Sequence, residues 1–208
     1  DEHNTLHLLY SRFIYQFLHD IGAVPKELPE PYFKRISHGV ILGPDNNRMS
    51  KSKGNVVVPE VVADKYGVDV VRMYLMFMGP FDGTMAWNEK TLMGVKRFLD
   101  RVEKTVTSYQ LRVDNKQIEG EIDGGRKELL IIINKAIKSI TDDMVNFGYN
   151  TVVAKLMKLL TEMTDSKSSP EGDRQMSKEE VEIYLRLLAP MAPYTAEELW
   201  HQIGNATS

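Results

Sequence analysis

The chain has 208 residues, 42% of them hydrophobic, and a formal net charge of −3. That length and apolar content suit one or two domains with real cores, and they exclude a disordered tail or a chain whose overall charge draws in nucleic acid from afar. The absence of cysteine excludes disulfides and thiolate metal sites and suits a reducing cytoplasm. Apolar runs such as Leu129 to Ile133 are far too short to span a membrane. The chain begins at Asp1 without a basic-then-apolar leader, so the expectation is a piece of a longer polypeptide.

In chain order, Leu6, Tyr10, Phe13, Ile14, Phe17, Leu18 and Ile21 recur at helical spacing and Gly22 closes them. They predict an amphipathic helix whose aromatic stripe belongs to a core. His3 and His7 stand four apart with Glu2 beside them, a spacing known from zinc sites; they read as a polar helical turn, with no metal. Pro25, Pro29 and Pro31 mark a connector, and Ile36 to Leu42 reads as a strand ended by Gly43-Pro44. Arg48 to Asn55 (Arg-Met-Ser-Lys-Ser-Lys-Gly-Asn) comes next, with no acid between Asn46 and Pro59. Serines and lysines at alternate positions make neither a helical nor a strand face, but ammonium groups, hydroxyls and a glycine can build an anion-binding loop. Pro59 and Gly67 frame a short helix. Asp69 can cap the next one, through Val71, Tyr74, Leu75 and Met78 to Gly79-Pro80. Phe81 to Asn88 is then a loop carrying Trp87.

From Lys90 onward the pattern is all helix. Leu92, Val95, Leu99, Val102 and Val106 share a face; so do Leu130, Ile133, Ile137, Ile140 and Met144, and again Val153, Leu156, Leu160 and Met163. Val113 to Gly125 and Asp165 to Gln175 read as exposed connectors. Ser177 with Glu180 forms a capping box ahead of Val181, Tyr184, Leu185 and Leu188, and Thr195 with Glu198 reads as a second. The expected fold is mainly α with a small α/β part: an α/β remnant, then an antiparallel bundle of about five helices beginning near residue 90. Charge is uneven along it. Lys90 to Arg112 holds six cations against two acids, and Glu171 to Glu182 five acids against two cations. Basic stripes of this kind can grip phosphate locally.

Arg48 to Ser52 resembles the KMSKS signature of class I aminoacyl-tRNA synthetases, with arginine in the first lysine's place. Lys53-Gly54-Asn55 and Tyr66 to Arg72 are similar to the residues downstream of that signature in the leucine, isoleucine, valine and methionine enzymes. Glu2-His3 with Leu6-His7-Leu8-Leu9-Tyr10-Ser11-Arg12-Phe13 resembles a segment of the leucyl-tRNA synthetase family. Leu188 to Tyr194 and Glu197-Glu198-Leu199-Trp200 look like the closing motif of that family's helical domain. The resemblance covers almost the whole chain. It implies three parts: residues 1–58 as the end of a Rossmann-type catalytic domain, 59–89 as a stem-contact region, and 90–208 as an anticodon-binding-type helical domain.

The resemblance also implies ATP-dependent activation of leucine and its ligation to leucine tRNA, with Mg2+ accompanying the nucleotide. Lys51 matches the pyrophosphate-binding lysine. Ser50 and Ser52 supply hydroxyls, and Arg48 keeps the charge of the first position as a planar fork. Glu2 matches the acid that holds the ATP ribose, with His3 in the same pocket and Met49 bordering the adenine. Arg72, Asp69 and Trp87 fall in the stretch facing the inside corner of tRNA, although Asp69 can equally be a cap and Trp87 a packing residue. Lys96, Arg97, Arg101 and Lys104, with Lys135 and Lys138, are candidates for tRNA backbone contacts. The HIGH signature, the editing insertion and the C-terminal tRNA-contacting domain are missing, so the chain is expected to be inactive alone and to need the rest of a synthetase, in cis or as a separate subunit. The alternative from another class is a stand-alone RNA-binding helical module derived from a synthetase. Glu2, His3 and Lys51 favour the enzyme.

Overall fold

The computed structural model describes residues 4–114, 125–164 and 176–206. Over these the chain is mostly helical: α1 (Asn4–Asp20), β1 (Ile41–Leu42), a one-turn 3-10 helix (Lys51–Lys53), α2 (Pro59–Tyr66), α3 (Val68–Phe77), β2 (Met85–Ala86), α4 (Glu89–Asp114), α5 (Gly125–Val145), α6 (Tyr149–Thr164), α7 (Lys178–Leu188) and α8 (Pro193–Gln202). No helix among the described residues is long and apolar enough to cross a membrane.

The helical stripes form one core. Leu92, Val95, Leu99, Val102 and Val106 of α4 are buried, as are Val153, Leu156, Leu160 and Met163 of α6, and Val181, Tyr184, Leu185 and Leu188 of α7. On α5 the buried set is Leu129, Ile133 and Ile140, with Leu130 turned outward, so the first turn of that stripe sits one residue earlier than its spacing predicts. Val70, Met73 and Tyr74 of α3 join the same cluster. α3 packs on α4, α6 and α8, and apolar packing therefore runs without a break across residue 90.

Two capping expectations come out differently. The box at Ser177 is present: Glu180 N–H donates to Ser177 Oγ at 3.2 Å, and Ser177 N–H to Glu180 Oε2 at 2.9 Å. The second box is not. α8 starts at Pro193, its N-cap is Ala192, and neither offers a capping oxygen. Asp69 is not the cap of its own helix either, since it lies inside α3 after an N-cap at Gly67. Its Oδ2 instead accepts the Thr195 N–H at 2.6 Å, capping α8 from α3.

The small α/β part is thinner than its sequence predicts. The strand expected over Ile36 to Leu42 is confined to Ile41–Leu42, which pairs in parallel with Met85–Ala86. Met85 N–H donates to Val40 O at 3.1 Å and Trp87 N–H to Leu42 O at 2.9 Å. The aromatic stripe of α1 is not in a core. No α1 residue is buried, and Phe13 is 71% exposed. The helix is tethered by polar contacts to its own connector, through Arg12 to Glu30 and Tyr15 Oη to Leu28 O at 2.8 Å. An apolar stripe is buried only where a facing element exists, and the described residues provide none for α1.

The α5–α6 turn is held by charge. Lys155 Nζ donates to Asp143 Oδ2 at 2.6 Å and to Ser139 O at 3.0 Å, and Thr151 Oγ1 also donates to Asp143. The Lys155 ammonium, then the Thr151 hydroxyl, lowers the Asp143 carboxyl below its ordinary value. A depressed carboxyl contributes stability above its unfolded pKa and loses it as pH falls through the folded one. Asp143→Asn should therefore lower the urea midpoint at neutral pH, with the gap from the parent closing in acid. Met73→Ala and Leu156→Ala should each cost about 2–5 kcal/mol and shift the same unfolding transition, because α3 shares the core. Two separate transitions in urea, one per variant, would show that α3 and the later helices are independent units.

Candidate functional site

The basic loop grows from a tight turn. After β1, Gly43 N–H donates to Asn47 O at 2.8 Å and Asn46 N–H to Gly43 O at 3.0 Å. Asn46 takes a left-handed φ of 60°, which asparagine tolerates. Arg48 then bridges back antiparallel to Leu42. Ser50 is extended and starts the 3-10 turn, and Gly54, at φ 67°, ends it with its N–H on Lys51 O at 3.3 Å. Only a residue free of Cβ strain closes a turn this way readily. Ser50 Oγ and Ser52 Oγ lie 2.8 Å apart.

Lys51, Ser52 and Lys53 are exposed, Arg48 is exposed, and Met49 and Ser50 are half-buried. Neither Lys51 nor Lys53 has a carboxylate partner among the described residues. Two unspent ammonium groups beside paired hydroxyls, on one turn of backbone, make a surface that can meet phosphate oxygens. Asn55 turns its side chain back beneath this turn, a contact that no local pattern in the sequence announces. Its signal was an amide at the loop's far end facing an aspartate in the turn before it.

Glu2 and His3 lie outside the described residues, and among those described no group of three histidine, aspartate or glutamate side chains could hold a metal. The nucleotide-side expectations therefore come together only at Arg48, Met49, Ser50, Lys51 and Ser52.

A second concavity lies where α2 and α3 meet α5, α6 and α8. It is an open groove of about 1120 Å³, lined by Arg72, Met76, Met144, Tyr149, Met191 and Tyr194 among others. Asp69, 5% exposed, stands at its wall, and Arg72 Nη2 donates to Pro190 O at 3.1 Å. Trp87 packs edge-on against Tyr74 at 4.8 Å, and Asn88 N–H donates to Tyr74 Oη at 2.7 Å. Asp69 and Trp87 thus serve the seam itself.

The basic face of α4 divides by task. Lys96 pairs with Asp100. Arg101 turns onto α6, donating to Thr161 Oγ1 at 3.1 Å and Thr164 Oγ1 at 3.0 Å. Arg97 spends Nε on Met93 O at 3.2 Å and is otherwise exposed, as is Lys104. Lys135 and Lys138 are exposed on α5, which packs on α6.

Two family models match. Residues 15–88 match the class I tRNA synthetases (I, L, M and V), and residues 126–208 the anticodon-binding domain of tRNA ligase. A leucine–tRNA ligase from Alkaliphilus oremlandii (strain OhILAs) is 41% identical over 203 residues, covering 98% of this chain and 23% of that protein. Among solved structures, the ternary LeuRS–tRNA–LeuAMS complex of Agrobacterium radiobacter K84 agnB2 superposes with a TM-score of 0.82 at 30% identity, over 99% of this chain and 27% of that one. Mycobacterium tuberculosis methionyl-tRNA synthetase bound by methionyl-adenylate shares the fold, with a TM-score of 0.64 at 18% identity over 82% of this chain and 38% of that one. The chain thus spans about a quarter of the length of the leucine–tRNA ligase relatives it matches. With sequence identity sustained along nearly its whole length, and both parts matching synthetase models, the chain is a leucine–tRNA ligase homologue of the class I tRNA synthetases.

Proposed function

We propose that the chain supplies the pyrophosphate side of the ATP site, and the helical domain that meets tRNA, to a leucine–tRNA ligase. The observation that carries this is the exposed pair Lys51 and Lys53, without a carboxylate partner among the described residues, on a one-turn helix beside the Ser50–Ser52 hydroxyl pair. In leucine activation a carboxylate oxygen of the amino acid bonds to the α-phosphorus. The bond from that phosphorus to the bridging oxygen breaks, and negative charge collects on the departing pyrophosphate. A cation that meets this charge as it forms lowers the barrier more than one that binds ground-state ATP equally well. Lys51 is suited to that task, with Arg48 as a second cation and Ser50 and Ser52 as donors. Met49 would border the adenine, and Glu2 and His3 would hold the ribose. Mg2+ would travel on the nucleotide's own phosphates.

The proposed division is residues 1–58 as the end of a Rossmann-type catalytic domain, 59–89 as stem-contact region and 90–208 as an antiparallel helical bundle. The three-residue link between α5 and α6, two helices that pack on each other, supports the antiparallel arrangement. The uncovered stripe of α1 supports a catalytic part that needs further chain to complete it, so activity is not expected from these residues alone. For tRNA, phosphate contacts are assigned first to Arg97, Lys104, Lys135 and Lys138, which are exposed. Arg72, Lys96 and Arg101 come second: the Arg72 and Arg101 guanidinium tips already hold other elements, and the Lys96 ammonium is paired with the Asp100 carboxylate.

In an intact ligase containing these residues, Lys51→Ala should cut the leucine-dependent pyrophosphate-exchange rate by about two to three decades, with leucine affinity little changed. An unaltered exchange rate would reduce the loop to a connector. For RNA, Arg97→Glu with Lys104→Glu should weaken tRNA binding and flatten its dependence on log salt by about one unit per lost phosphate contact. Arg101→Ala should instead lower the melting temperature, because its guanidinium ties α4 to α6. Fluorescence titrations at two salt concentrations, with melts of the same samples, read both; a salt slope untouched by Arg97→Glu and Lys104→Glu removes this face from the tRNA contact.

A further inference from the structure

The groups that hold the basic loop in shape are not the ones that would touch phosphate. Asn55 Oδ1 accepts the Ser50 N–H at 2.8 Å, and Asn55 Nδ2 lies 3.1 Å from Arg48 O. The same Nδ2 reaches both carboxylate oxygens of Asp45, at 3.0 and 3.1 Å. Asp45 is itself fixed within the turn: its Oδ1 accepts Asn47 N–H at 3.1 Å and its Oδ2 accepts Asn47 Nδ2 at 3.3 Å. An amide NH2 has two protons, so Arg48 O and the carboxylate divide them, and the Ser50 N–H fills the amide oxygen. Positions 45, 48, 50 and 55 are thereby cross-linked through one side chain.

Two further observations fit that arrangement. The Asn55 amide, then the Asn47 N–H, hold the Asp45 carboxyl below its ordinary range, so it is an anion throughout neutral pH. Gly43 runs against the cross-link: a Cβ there would come within 2.8 Å of Asp45 Oδ1 and 3.0 Å of Asn55 Nδ2. A side chain at position 43 would have to push the pair apart.

We propose that Asp45 and Asn55 are positioning residues for the basic loop, fixing its root from Arg48 to Ser50 so that Lys51 and the two serine hydroxyls are presented in one geometry. The proposal rests on the reading of the loop as the pyrophosphate side of the ATP site. The loop has no apolar anchor beyond the half-buried Met49, so hydrogen bonds must set its register. Asp45 also supplies the needed negative acceptor without neutralising the working cations, because its partners are neutral amides. The exposed turn from Lys51 to Lys53 lies outside the cross-link and stays free to close over a ligand.

The test has two readouts. In this 208-residue chain, the Ser50 amide should be protected from hydrogen exchange, and Asn55→Ala or Gly43→Ala should remove the protection while the melting temperature of the helical part stays put. In an intact leucine–tRNA ligase containing these residues, Asn55→Ala and Gly43→Ala should each lower kcat for pyrophosphate exchange about 10- to 100-fold, with KM for leucine unchanged. Asn55→Asp sets two carboxylates against each other and should lose at least as much. Adding Asp45→Asn to it restores a donor–acceptor pair with the roles exchanged and should recover part of the loss, the donor to Arg48 O remaining absent. The proposal is overturned if the combined variant is no better than Asn55→Asp alone, or if Asn55→Ala exposes the Ser50 amide yet exchanges pyrophosphate at the parental rate. Lys51→Ala separates the two ideas. If it is inert, the reading of the loop fails; if it is damaging while Asn55→Ala is harmless, only the positioning role fails.

Discussion

The first turn of α8 depends on a carboxylate that belongs to another helix. Pro193 has no N–H and Ala192 has no side-chain acceptor, so α8 enters the core with its leading amides unserved by its own sequence. Asp69 supplies the acceptor from α3, and a carboxylate at a helix N-terminus is favoured by both the hydrogen bond and the helix dipole. A cap of this kind is worth about 0.5–2 kcal/mol. Its larger consequence is geometric. Arg72, one turn further along α3, donates to Pro190 O just before α8, so α3 and the α7–α8 corner are pinned at two points.

From that seam a series of short contacts leads to the basic loop. Tyr74 on α3 accepts the Asn88 N–H and stacks edge-on with Trp87. Trp87 N–H donates to Leu42 O at the end of β1, and Leu42 bridges Arg48. Burial raises the Tyr74 phenol above its ordinary pKa. The loop's root is therefore referenced to the helical core through β1, β2 and α3 rather than through the long connector before it. In the proposed ligase this ties the pyrophosphate side of the ATP site to the domain that meets tRNA.

How much of this was legible in the sequence depends on how local each interaction is. The stripes of α4, α6 and α7 were readable because a 3.6-residue period records the burial of a helix in its own spacing. The box at Ser177 was readable because both partners lie within four residues. The assignment of Thr195 as a cap failed for the opposite reason: its N–H finds its acceptor 126 positions earlier in the chain. β2 was missed because a two-residue strand has no period to detect. The stripe of α1 was read correctly as amphipathic and wrongly as covered, since a pattern states what a face needs, not whether the facing element is there.

The cations show the same division at the site. Sequence gives the candidates Lys96, Arg97, Arg101 and Lys104 equal standing, but a guanidinium is a planar fork that two hydroxyls spaced i and i+3 on a helix can fill. Thr161 and Thr164 do that for Arg101, which makes it a strut between α4 and α6. Lysine ammonium groups are better satisfied by water, so Lys51, Lys53 and Lys104 remain at the surface where their stems leave them. What sets Lys51 and Lys53 apart from an ordinary solvated lysine is the backbone beneath. A surface helix carries its lysines on rotamer-rich stems around a straight axis. Here a single turn, opened by extended Ser50 and shut by left-handed Gly54, brings two of them and two hydroxyls to one end of a hydrogen-bonded hairpin. Charge alone marks a solvated face; charge on a backbone this constrained can be aimed.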